Sequence, residues 1–161
     1  MVAEDTSVRA PGHERLEEVY RTQAGRLWRS LVLHTGDRER AADAVSEAFA
    51  QALRRGDAIR DPVRWVWKTA FRIADRLAAE DRSVPESPSI HAHEEPAELL
   101  DLIRALRHLT PHQRASIVLH YYGGYSLREV ATIIGSTRAA VGVHLFRARE
   151  RLRKELGASD G

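Results

Sequence analysis

Apolar residues recur along this chain three and four positions apart, which is the period of an α-helix with one buried face. From His13 to about Leu33, the positions Leu16, Val19, Tyr20, Gln23 and Leu27 fall on one side. Gly36 ends this stretch and Asp37 can cap the next. The second helix reaches about Arg55, with Ala41, Val45, Ala48, Phe49 and Ala52 inward, and Gly56 closes it. Asp61-Pro62 is a cap followed by proline in the first turn. The third helix runs to about Ala79, and its apolar face is Val63, Val66, Ala70, Ile73, Ala74 and Leu77. No strand pattern or internal repeat interrupts the series.

The period breaks at Ser83. From there to Pro96 the chain reads SVPESPSIHAHEEP, with three prolines and little apolar surface. Such a segment cannot bury enough to offset the cost of ordering it, so a mobile, acidic tether is expected over 83–97. Helical spacing resumes near Ala97 with Leu99, Leu100, Ile103, Leu106 and Leu109. Thr110 and Gln113 are placed for a capping box, with Pro111 at the first helical position. That helix is expected to reach about Tyr122 and end at Gly123-Gly124. The fold class is therefore all-α: two small helical domains, 10–82 and 98–157, joined by a flexible linker.

The richest stretch is Ser126 to Leu152. Ser126 and Glu129 form a second capping box, and Leu127, Val130, Ala131 and Ile134 share one face. Gly135 can take the left-handed conformation that ends a helix. Thr137 can cap a last helix whose apolar stripe is Val141, Leu145, Ala148 and Leu152. This order of parts is that of a DNA-binding helix-turn-helix, in which the second helix enters the major groove. That helix carries Arg138, Arg147, Arg149, Arg151, Arg153 and Lys154 against Glu150 and Glu155. The whole chain has a net charge of only +2, so the clustering matters more than the total. The surplus is the electrostatic footprint of a phosphate-binding surface. The plainer alternative is an ordinary helical hairpin with a solvated charged face.

Several function classes drop out. The chain has no cysteine, which removes disulfides, thiolate zinc sites and thiol redox sensing. No apolar run approaches a membrane span, and the polar, acidic start is unlike a signal peptide, so a cytoplasmic protein is expected. Serine, histidine and aspartate are present, but without a nucleophile elbow or a glycine-rich phosphate loop. No enzymatic activity and no cofactor are expected. His91, His93 and Glu94 have metal-like spacing but stand in the tether, where a solvated tract is the better reading. His108 and His112 straddle a helix break, which argues against a metal pair.

With these residues on the page, the chain resembles bacterial RNA polymerase sigma factors of the sigma-70 family, in the extracytoplasmic-function group. LTPHQRASIVLHYYGGYSLREVATIIGSTRAAVGVHLFRARERLRKEL is similar to sigma region four. GDRERAADAVSEAFAQALRR is similar to the polymerase-binding helix of region two, and RDPVRWVWKTAFRIADRL to its aromatic and basic helix near the minus-10 DNA. The likeness spans about Leu16 to Leu156. It implies that region two grips the clamp helices of the polymerase and helps open the minus-10 element. Region four would sit on the polymerase flap and read the minus-35 element. The acidic tether would thread toward the RNA exit path, and an anti-sigma protein is a further implied partner.

Carried over residue by residue, the resemblance assigns Asp43, Ser46 and Glu47 to polymerase binding. It assigns Arg64, Trp65, Lys68 and Arg72 to the minus-10 DNA. Ser126, Arg128, Thr137, Arg138, Ala139, Gly142, Val143, His144, Arg147 and Arg149 go to the minus-35 DNA. Four of these positions depart from the family pattern. Ser46 replaces a usual glutamine, Arg72 a frequent asparagine, and Gly142 and His144 stand where lysine and arginine are common. Asp43 and Glu47 remain four apart on one face. Trp65 and Trp67 cannot share a face, so one is expected in the core; Trp65 is expected exposed, to stack on an unpaired base. Gly142 lacks a side chain, which would let the helix backbone approach a base edge or phosphate. Two other readings stay open at this point. One is a helix-turn-helix regulator that does not act through polymerase. The other is a sigma-like interaction protein without initiation activity.

Overall fold

Helices begin where the sequence supplies caps. In a computed structural model, which describes residues 11–81 and 95–157, seven α-helices follow one another without a strand among the described residues. They are α1 (Pro11–Thr35), α2 (Arg38–Arg55), α3 (Pro62–Glu80), α4 (Ala97–Arg107), α5 (Pro111–Ile117), α6 (Leu127–Ile134) and α7 (Arg138–Gly157). The Asp37 carboxylate accepts from the Arg40 N–H at 3.0 Å, and Asp61 from the Arg64 N–H at 3.2 Å. Both expected capping boxes close, Thr110 with Gln113 and Ser126 with Glu129. The Thr137 hydroxyl accepts from the Ala140 N–H at 3.1 Å. Gly135 sits at φ 68°, a conformation that L side chains avoid, and it makes the tight turn between α6 and α7.

α1, α2 and α3 pack around Leu27, Leu31, Ala44, Ala48, Val66 and Ala70, all buried. His34 is buried too, and its Nε2 meets Asp75 Oδ1 at 2.7 Å, clasping α1 to α3. α4 to α7 surround Leu106, Leu119, Val130, Val141 and Leu145. These two groups of helices touch. α3 lies against α6, and α1 meets α4, α5 and the turn that follows α5, so the apolar core runs from one group into the other.

Four details differ from the sequence reading. Tyr20, expected inward, is 57% exposed and sets its ring edge-on to Phe49 at 5.0 Å. A tyrosine can set its apolar ring on a neighbouring helix and keep its polar tip toward water, so an inward position in the period does not require burial. Trp65 is only half-buried, because α6 stands beside it; Trp67 is the core tryptophan, fully buried with its indole N–H donating to Gln23 Oε1 at 3.1 Å. Ile133, outside the expected α6 stripe, is buried where α6 faces α3. The helix expected to run to Tyr122 widens after Ile117 into a π turn over Val118–Tyr122. Most of the acidic tether, including His91, His93 and Glu94, lies outside the described residues.

Candidate polymerase and nucleic-acid interfaces

The first surface is the outer face of α2. Asp43 and Ser46 are exposed and Glu47 is half-buried, all clear of the packed Ala44–Val45–Ala48 side. Glu47 is not a bare charge. Gln51 Nε2 donates to its carboxylate at 3.0 Å and Arg54 Nη2 at 3.2 Å. The Gln51 hydrogen bond and the Arg54 charge hold the Glu47 carboxyl below its usual range. Leu53, 48% exposed, adds an apolar contact next to Arg54. The charge pattern does not mark Gln51, Arg54 or Leu53, although their i+4, i+7 and i+6 offsets from Glu47 were available.

The second surface is α3. Lys68 and Arg72 are exposed; Arg64 and Trp65 are half-buried. All four line clefts between α3 and the helix-turn-helix. One, of about 340 Å³, is bounded by Ile59, Arg64, Trp65, Lys68 and Thr132. The other, of about 330 Å³, lies between Lys68, Arg72, Asp75, His112 and Ile133. Two side-chain contacts cross this seam, and a third, from α1, joins the two groups of helices beside it. Tyr125 sets its ring at 72° to Trp67, with centroids 5.1 Å apart. Arg64 Nη2 lies 3.7 Å from Glu129 Oε2. Arg29 Nε donates to the Tyr122 hydroxyl at 2.8 Å. Burial pushes the Tyr125 phenol up to about 12, with the Glu129 charge adding to it. Glu129 moves the other way, chiefly because the Ser126 backbone N–H donates to it. The sequence does not single out Tyr122 or Tyr125; no local period signals contacts with partners as distant in the chain as Arg29 and Trp67.

The third surface is α7 with the start of α6. Ser126, Arg128, Thr137, Arg138, Ala139, Val143, Arg147 and Arg149 are all exposed. The Ser126 and Thr137 hydroxyls are engaged as caps. Arg149 is also held locally, donating to the Tyr121 hydroxyl at 2.5 Å with its guanidinium 5.9 Å from that ring. His144 turns away from the outer face. It is half-buried against His112, with ring centroids 5.3 Å apart. Burial, then the neighbouring His112 and Arg147, lower the pKa of His144. A Cβ added at Gly142 would meet nothing within 4 Å, so no packing inside the protein requires this glycine.

Residues 99–152 match the family described as sigma-70, region 4. Over 157 residues the chain is 31% identical to the RNA polymerase sigma-E factor of Streptomyces coelicolor, covering 89% of this chain and 87% of that one. It is 30% identical to the ECF RNA polymerase sigma factor SigL of Mycobacterium tuberculosis, covering 89% and 92%. The chain belongs to the extracytoplasmic-function sigma factors. Among solved structures, this sigma factor is similar in fold to the sigma factor RpoE in complex with the anti-sigma factor NepR from Bartonella quintana. That match has a TM-score of 0.72 at 22% identity, over 90% of this chain and 96% of that one. It is also similar to CnrH in complex with the cytosolic domain of CnrY, with a TM-score of 0.75 at 21% identity, over 92% and 91%. No helix of the described residues is long and apolar enough to cross a membrane.

Proposed function

We propose that this sigma factor works through the three surfaces described above, on two helical domains, 10–82 and 98–157, tethered by 83–97. The outer face of α2, with Asp43, Ser46 and Glu47, docks on the clamp helices of core RNA polymerase. Arg64, Trp65, Lys68 and Arg72 on α3 engage the minus-10 element. Exposed residues of α7 and the start of α6 engage the minus-35 element. The protein directs promoter-specific initiation and catalyses no reaction of its own. It acts in the cytoplasm, where polymerase and DNA meet, and needs no cofactor. An anti-sigma protein is a proposed partner, supported by the two complexes of similar fold.

The observation that carries this reading is a single chain, alike over 89% of its length to a sigma factor, that pairs a capped basic helix-turn-helix with a cationic, aromatic third helix. Run-off transcription with core polymerase tests it. Promoter-dependent transcripts are expected. Polymerase binding without transcripts would favour an interaction protein, and DNA binding without polymerase a conventional regulator. The polymerase face has its own test. Asp43→Arg with Glu47→Arg leaves the buried side of α2 untouched, so helicity is retained. Like-charge contacts at a charged interface cost several kcal/mol, so core binding in a pull-down is expected to fall by about a hundredfold or more. Unchanged binding would move the polymerase contact elsewhere.

A further inference from the structure

α7 has two apolar stripes, and only one is buried. Val141, Leu145 and Ala148 fill the core. On the opposite side Ala139, Val143 and Phe146 are exposed, Val143 to 48% and Phe146 to 64%. They stand at i, i+4 and i+7, in line along the helix. Arg138 and Arg147 flank them, also exposed, and Arg149 follows one turn after Phe146. A helix face meant only for water or for phosphates would carry polar side chains along this line. An apolar ridge bordered by arginines fits the major groove of B-DNA instead. Its walls are phosphates, and its floor carries one apolar feature, the C5-methyl group of thymine.

We propose that Ala139, Val143 and Phe146 form a thymine-reading ridge. Their contacts with C5-methyl groups supply base discrimination, while the flanking arginines set register on the phosphates. The inference rests on reading α7 as the minus-35 helix, and it adds Phe146 to the residues that read sequence. Length supports the assignment. Seven helical residues span about 10 Å, and base pairs are spaced about 3.4 Å apart, so the ridge covers about three base pairs. Reach supports it as well. Ala139 and Val143 are short and touch base edges only if the backbone comes close. Gly142, beside Val143 and with open space where a Cβ would stand, permits that approach. The charged borders favour DNA over a protein as the occupant of the ridge.

The test uses holoenzyme reconstituted from core polymerase and the full chain. Promoters randomised over the upstream element are selected by binding, and each thymine of the selected element is then replaced by deoxyuridine, which lacks only the methyl group. The expected element carries thymine within a window of about three base pairs. Each critical replacement should lower affinity about fourfold, the equivalent of one buried methylene. Val143→Ala with Phe146→Ala should shrink the thymine-over-uracil preference, leaving at most the part that Ala139 supplies. Both side chains are exposed, and an unchanged melting curve checks the fold. Arg147→Ala should weaken both promoters alike and keep the thymine preference. A selected element that ignores the uracil replacement overturns the ridge but leaves minus-35 binding standing. Loss of core-polymerase binding by the double variant in the absence of DNA also overturns it, and puts a protein surface on the ridge. Failure to select any element overturns the minus-35 reading and the ridge together.

Discussion

α3 and α7 carry the same ingredients, arginine or lysine beside aromatic or apolar side chains, yet they stand in opposite situations. The outer face of α7 is open along its length. The corresponding face of α3 looks onto α6, with Trp65 half-buried and Arg64 within 3.7 Å of Glu129. Tyr125, beside the capping box of α6, fills the angle against Trp67. The outer face of α7 is therefore open, while on α3 Lys68 and Arg72 are exposed but Arg64 and Trp65 are half-buried. On the proposed role of α3, full access to Arg64 and Trp65 calls for α6 to move away from α3. The seam carries apolar packing continuous with the core, and to it are added one aromatic edge contact, one long ion pair and, from α1, one side-chain hydrogen bond, the last three contributing about 1 kcal/mol each. A polymerase surface could separate them.

The largest effect is expected from locking the seam. The chain has no cysteine, so Ala58→Cys with Thr132→Cys supplies a unique pair on the wall of one cleft, away from the residues assigned to DNA. Bridging the two thiols with a short bis-maleimide should abolish run-off transcripts, while the same variant without the reagent stays active. Minus-35 duplex binding, measured by anisotropy, should survive the lock. Full transcription by the bridged protein would show that α3 need not be uncovered.

Loosening the seam should act in the other direction. Tyr125→Ala removes the ring that meets Trp67 and is expected to cost about 1–3 kcal/mol of stability in denaturant unfolding. Binding of a single-stranded minus-10 oligonucleotide should rise several-fold as α3 is exposed. A loss of stability with no gain in oligonucleotide binding would mean that Tyr125 is a core residue and nothing more.

Gly142→Ala sharpens the other half of the comparison. The new methyl group meets open space, so the variant should gain about 1 kcal/mol of helix stability and melt higher. If close backbone approach matters, minus-35 binding falls despite that gain. Equal or tighter binding would make the glycine incidental.

The smallest effect concerns pH. The folded state favours neutral His144, since burial, His112 and Arg147 all lower its pKa. The unfolded chain takes up that proton near pH 6.5. Below that pH the unfolded state binds more protons, so stability declines as pH falls through the window beneath 6.5 and is fully regained above it. His144→Gln should flatten the difference in urea midpoint between pH 7.5 and pH 5.5. An identical slope in the variant would assign the dependence to other groups.

The sequence by itself determined the helices, their caps and most of their buried faces. Those features depend on residues within a few positions of one another: Asp37 and Asp61 at helix starts, paired capping boxes at Thr110 and Ser126, Gly135 in its left-handed turn. Family likeness then named the surfaces, because Asp43, Glu47 and the arginines of α7 stand at matching positions. Tertiary structure alone decided how those surfaces are presented. Tyr20 sets its exposed ring on Phe49, Trp65 is half-buried on a cleft wall shared with Thr132, and His144 lies against His112, each a meeting with another helix. The meeting of Trp67 with Tyr125 joins residues 67 and 125, too far apart in sequence for any local signal of docking. Helical period records which side of a segment is apolar. It does not record which other segment covers that side, and in this protein such covering is what distinguishes the half-buried Arg64 and Trp65 of α3 from the exposed outer face of α7.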